Sequence, residues 1–166
     1  MNIYKLSWGI KLLEGLLIFK EGDRRIGEMK LSGILGNPFI ANFKSAKYII
    51  HPEVLSKGRF RIYNSSNEIQ LALVKLKYWN SESQMEYQGR EYRLKSNFLG
   101  VFGTYWTFKQ ERRYMSFSND LLSGSVIESI PDEEMYHLFV LAAVQSMFIY
   151  SSLLLFTAIL VIYFIL

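Results

Sequence analysis

The chain has 166 residues, no cysteine and a formal net charge of +4. Without cysteine there are no disulfides, thiolate metal sites or cysteine nucleophiles, and the length suffices for one folded domain with a terminal segment besides. All 19 lysines and arginines lie between Lys5 and Arg113, against 10 acids in the first 113 residues, and Tyr114 to Tyr136 holds five acids and no base. That separation suits a surface drawn to anionic lipid head groups. No basic run or recognition helix accompanies it, which argues against nucleic acid.

Leu6 to Phe19 is fairly apolar, but Lys11 and Glu14 interrupt it and no small-residue cleavage site follows, so it reads as mature structure and not as a signal peptide. From Gly15 to Ile130 short apolar or alternating runs are separated by turn residues, the pattern of antiparallel strands. Leu16 to Phe19 turns through Glu21-Gly22-Asp23 into Arg25 to Leu31. Phe39 to Phe43 and Ala46 to Ile50 follow, with His51-Pro52 expected to close the second in a loop. Arg59 to Tyr63 alternates, Asn64 to Asn67 is a turn, and Glu68 to Trp79 resumes. Gln84 to Tyr87 and Glu91 to Leu94 form a hairpin around Gly89, which suits a positive φ. Val101 to Phe108, Arg113 to Phe117 and Ser125 to Ile130 complete a set of about ten to twelve strands, which predicts a mainly β barrel or sandwich.

Pro131 then fits the first turn of a helix, and Asp132, Glu133 and Glu134 suit the positive end of its dipole. That helix runs into Leu138 to Leu166, which has no charged side chain and no polar face, so it must be buried in a bilayer or inside protein. The expected division is therefore a β-rich domain over 1–130 and a hydrophobic C-terminal helix over 131–166. Insertion of such a tail after synthesis would leave the β-domain in the cytoplasm, a tail-anchored, single-pass arrangement.

The runs Arg59 to Asn64, Ile69 to Trp79, Met85 to Leu94, Gly124 to Glu128 and Asp132 to Met147 follow in an order that resembles the tubby C-terminal-like superfamily. That group includes the LURP-one-related proteins and the phospholipid scramblases. The resemblance implies a closed barrel of about twelve strands around one apolar C-terminal helix, and it sets a second reading beside the membrane span. A helix from Asp132 to Leu166 would be about 52 Å long, more than a barrel or a hydrocarbon core of about 30 Å requires alone. It could plug the barrel, cross the bilayer, or do both with Ile149 to Leu166 projecting and Ser151-Ser152 at the boundary.

No catalytic constellation is visible. His51 and His137 are the only histidines, and they lack metal-ligand spacing. No nucleophile elbow or phosphate loop is present. No catalytic, cofactor or metal residues are expected, and no cofactor. The candidate lipid head-group contacts are Arg24, Arg25, Arg112 and Arg113. The candidate polar contacts within a membrane or barrel are Gln145, Ser146, Ser151 and Ser152. The expected function is a non-enzymatic, membrane-anchored accessory or scaffold subunit, partnered by phospholipid and other membrane proteins. The alternatives are a lipid-binding, scramblase-like protein and a soluble barrel holding a small ligand.

Overall fold

The computed structural model describes residues 5–11, 14–30, 38–53, 57–77, 82–96, 104–109, 113–119, 123–127 and 133–165. These form twelve strands and one helix. The strands are β1 (Lys5–Lys11), β2 (Leu16–Glu21), β3 (Arg24–Lys30), β4 (Phe39–Phe43), β5 (Ala46–Glu53) and β6 (Arg59–Asn64). They continue with β7 (Gln70–Lys77), β8 (Glu82–Tyr87), β9 (Arg90–Ser96), β10 (Thr104–Lys109), β11 (Arg113–Asn119) and β12 (Ser123–Ile127), and the helix α1 is Glu133–Ile165.

Each strand pairs antiparallel with its neighbour in sequence, and β1 also pairs with β12 (Leu6 opposite Val126, Trp8 opposite Gly124), so the order closes into a barrel. The sequence reading begins its strands at Gly15 and lacks β1, the strand that joins the two edges. The mixed run Lys-Leu-Ser-Trp-Gly-Ile-Lys carries Leu6 and Trp8 inward at alternate positions, a short signal that is masked by the apolar residues after it. β5 also differs from expectation. It runs through His51-Pro52 to Glu53, with Pro52 opposite Phe60, and a proline near a strand end removes only one ladder donor.

Alternation decides which side chains enter the barrel. Phe39, Ala41 and Phe43 of β4, Phe60 and Ile62 of β6, Ala72, Val74 and Leu76 of β7, and Met85 and Tyr87 of β8 all point inward and are buried. α1 lies among them. Every residue from Tyr136 to Ser146 is buried, three full turns with no exposed side. A helix lying on a sheet would expose about half its circumference, so continuous burial means enclosure on all sides. The helix backbone comes nearest β7, whose inward residues are Ala72, Val74 and Leu76. Phe139 meets Tyr92 edge-on at 5.0 Å between ring centroids. Each large apolar side chain so buried contributes roughly 1.5–3 kcal/mol.

Enclosure settles which part of the apolar run is inside. Ile149 and Tyr150 remain buried, so the barrel holds the helix about half a turn further than a boundary placed before Ile149 would allow. From Ser151 to Ile165 about fifteen residues remain, about 22 Å of helix. Where side chains are described there, Thr157, Ile159 and Tyr163 are exposed, Ile159 at 54% and Tyr163 at 78%. An uninterrupted span from Leu138 to Leu166 is thereby corrected: its first half fills the barrel. Among the described residues, no helix is long and apolar enough to cross a membrane.

Candidate functional site

The alternating strand directions give the barrel two unlike rims. At the lower rim lie the turns β2–β3, β4–β5, β6–β7 and β8–β9, and here α1 begins. At the upper rim lie the links β1–β2, β3–β4, β5–β6 and β7–β8, and here α1 emerges.

The lower rim clasps the first turns of the helix. Lys44, in the β4–β5 turn at φ 47°, donates to Glu133 at 2.7 Å. Its hydrogen bond and its charge hold the Glu133 carboxyl below the usual carboxylate range. One turn on, the buried His137 ring stacks on Phe43 at 4.7 Å, and its Nδ1 is 3.0 Å from the Tyr48 hydroxyl. If Tyr48 donates, the neutral ring carries its proton on Nε2, which faces Glu133 at 4.0 Å. On the other flank the Tyr87 hydroxyl donates to Glu134 at 3.1 Å and accepts from Gln88 at 2.9 Å. Glu133 and Glu134 thus serve two purposes, complementing the dipole and locking the helix to two hairpins.

Beside the clasp an open groove of about 350 Å³ is lined by Arg24, Arg25, Glu28, Asn42 and Lys44. Arg25 pairs with Glu28, which also accepts from Asn42 at 3.2 Å. Gly27 forms the groove floor, and a Cβ there would lie 2.6 Å from the Asn42 carbonyl oxygen and 3.0 Å from the Phe43 ring. Arg24 and Arg25 therefore lie at the end of the barrel away from the projecting half of α1. Arg113 opens β11 at that same lower end. Arg112, Pro131 and Asp132 lie outside the described residues.

The upper rim holds the helix where it leaves. The Tyr150 hydroxyl donates to the Glu82 carbonyl at 2.8 Å and lies 3.3 Å from the Lys77 carbonyl, with the buried Ser83 hydroxyl at 3.4 Å. These contacts tie α1 to both sides of the β7–β8 link. Nearby, Glu53 accepts from Arg59 at 2.6 Å and from Arg61, with Lys57 at 3.8 Å. The Arg59 hydrogen bond, with partial burial opposing it and Arg61 adding to it, holds the Glu53 carboxyl below its ordinary value.

Between the rims, at the barrel centre, both amide atoms of Gln145 and the hydroxyl of Ser146 are buried without a hydrogen-bond partner. The sequence reading makes these two residues polar contacts within a membrane or a barrel. The structure puts them inside the barrel and withholds the contact. Ser152 bonds the Phe148 carbonyl of its own helix at 2.7 Å, and Ser151 is described only as helical. Tyr48, Tyr87 and Tyr150 carry the clasps, yet nothing in sequence separates them from the other eight tyrosines. Only the Glu133 to His137 spacing is visible beforehand.

His137 is shielded by Phe43 and Tyr48, and among the described residues no group of three or more His, Cys, Asp or Glu could hold a metal ion. Comparison with family models, curated proteins and solved structures finds no match.

Proposed function

We propose that this chain is a non-enzymatic, membrane-tethered barrel that serves as an accessory or scaffold subunit of a membrane assembly. One observation carries the reading: the barrel is filled by the chain's own helix, and the continuation of that helix stands outside it with Ile159 and Tyr163 exposed. A barrel interior occupied by the chain's own helix weighs against the reading as a soluble barrel for a small ligand. An apolar rod held in water would expose side chains each worth roughly 1.5–3 kcal/mol when buried, so it requires lipid or another apolar helix around it. The strand order around a single helix is consistent with the resemblance to tubby-like barrels.

Carbonate extraction of membranes from cells making the full chain tests the tether. The chain should stay with the membrane fraction, and Ile159→Lys, on the projecting segment and away from the core, should shift it toward the wash. Release of the unaltered chain by carbonate would refute the tether. For the scaffold role, solubilised membranes on a blue-native gel should show the chain in a larger complex. Migration solely as a free 19.4 kDa monomer would count against that role.

A further inference from the structure

Among the described residues, His137 is the only buried side chain whose charge changes between pH 5 and 8. Phe43 of β4 stacks on its ring at 4.7 Å, Tyr48 of β5 meets it edge-on at 5.9 Å, and Tyr136 of its own helix lies at 6.0 Å. The Tyr48 hydroxyl can donate to Nδ1 only while the ring is neutral. Glu133 is the one carboxyl among the described residues within 4.0 Å of a ring nitrogen, and it already accepts from Lys44 at 2.7 Å. Glu134, on the other flank, accepts from the Tyr87 hydroxyl of β8 at 3.1 Å. In the adjoining groove of β3, Arg25 and Glu28 pair with each other beside Arg24.

Protonation sets these groups against one another. An imidazolium held in the closed clasp gives up its hydration, and the charge of Glu133 is offset by Lys44 before it can compensate. Tyr48 must also turn from donor to acceptor. Once released into water, the ring takes up its proton at about pH 6.5. Below that pH the open form binds more protons than the closed one, so acidification favours opening. The β4–β5 turn stays with the sheet when the helix leaves, because the Lys44 backbone N–H bonds the Ile26 carbonyl at 2.8 Å. Toward the barrel centre, the unpartnered Gln145 and Ser146 add no hydrogen bond that would oppose the loosening. The upper clasp differs: the hydroxyls of Tyr150 and Ser83 and the two carbonyls beside them keep the same charge throughout this range.

We propose that the lower clasp is a proton-operated latch: protonation of His137 releases the first turns of α1 from the β4–β5 and β8–β9 hairpins and opens that end of the barrel, while the upper clasp keeps the projecting half in place. The latch concerns the enclosed half of the helix and does not depend on the tether.

Hydrogen–deuterium exchange of the full chain in mild detergent, corrected for the intrinsic pH dependence of amide exchange, tests the latch. Between about pH 7.5 and about pH 5.5, protection of the amides from His137 to Leu141 should fall about tenfold, the ratio expected for one proton taken up by the open form alone. Protection from Ser146 to Tyr150 should stay constant. Both carboxylates of the clasp remain ionised in this range, since Glu133 is held below the ordinary value. His137→Gln keeps an acceptor for Tyr48 without a titrating group and should abolish the change. Lys44→Gln frees Glu133 to pair with the imidazolium and should shrink the change to less than about threefold, whereas a merely structural Lys44 would leave its size unaltered. His51→Gln removes the other histidine, which is exposed against Tyr63, and should leave the tenfold change intact. Constant protection at the lower end, an equal loss at both ends, or a full change surviving in His137→Gln would each overturn the latch. Carbonate extraction reads the tether separately.

Discussion

The unpaired Gln145 amide makes a sharp test of how the barrel is filled. Its nitrogen and oxygen are both buried, and neither has a partner. A buried polar group left unsatisfied costs about 1–3 kcal/mol relative to its hydrated state in the unfolded chain. Gln145→Met keeps the side-chain length and nearly the volume, and the two residues have similar helix propensities, so packing and backbone terms almost cancel. The substitution should therefore stabilise the barrel by about 1–3 kcal/mol. For a domain of this size that raises the melting temperature by about 2–4 °C per kcal/mol. Urea unfolding in mild detergent, followed by tryptophan fluorescence, measures it as a higher midpoint with unchanged slope. A fall in stability of 1 kcal/mol or more would refute the reasoning, because it would mean that the amide is hydrogen-bonded in the folded protein. The bond would then be to water or to a bound group inside the barrel, and the reading of the barrel as filled by its helix alone would fall with it.

Three further outcomes follow from the clasps and the groove floor. Tyr150→Phe removes the hydroxyl that bonds the Glu82 and Lys77 carbonyls and should cost about 1–2 kcal/mol in the same unfolding assay, with no loss if the helix is held by packing alone. Gly27→Ala places a methyl 2.6 Å from the Asn42 carbonyl oxygen, which forces β3 and β4 apart, and should destabilise by about 1–3 kcal/mol; an unchanged midpoint would mean that the strands yield freely. Glu53 and Glu133 are both held below the ordinary carboxylate value of 4.5, so their contribution is complete above that pH and is lost as pH falls through the lower folded values. Stability should decline with acidification below about pH 5, and Lys44→Gln should flatten the part of that decline belonging to Glu133.

Much of the fold follows from local pattern. The alternation of Arg59 to Tyr63 and of Met85 to Leu94 fixes which side chains face inward, because a strand repeats every two residues. The acidic helix start at Glu133-Glu134 and the absence of any polar face in the apolar run depend on the chain alone. The rest is long-range. Nothing local in Lys5 to Lys11 marks it as the strand that meets β12, since closure depends on the twist and register accumulated over all the strands between. The partners of His137 and Tyr150 are 89 and 67 residues away in Tyr48 and Ser83, and they meet only because the helix threads the barrel.

By itself the sequence determined that this protein is built of antiparallel strands followed by an apolar helix that must be kept from water. Hydropathy is a property of each side chain in turn, and it reads the same whether lipid or protein surrounds the helix. Only the closed arrangement of strands decided that the first half of α1 is surrounded by protein and that the second half projects from the upper rim, because enclosure is a relation among distant segments that no window of sequence contains.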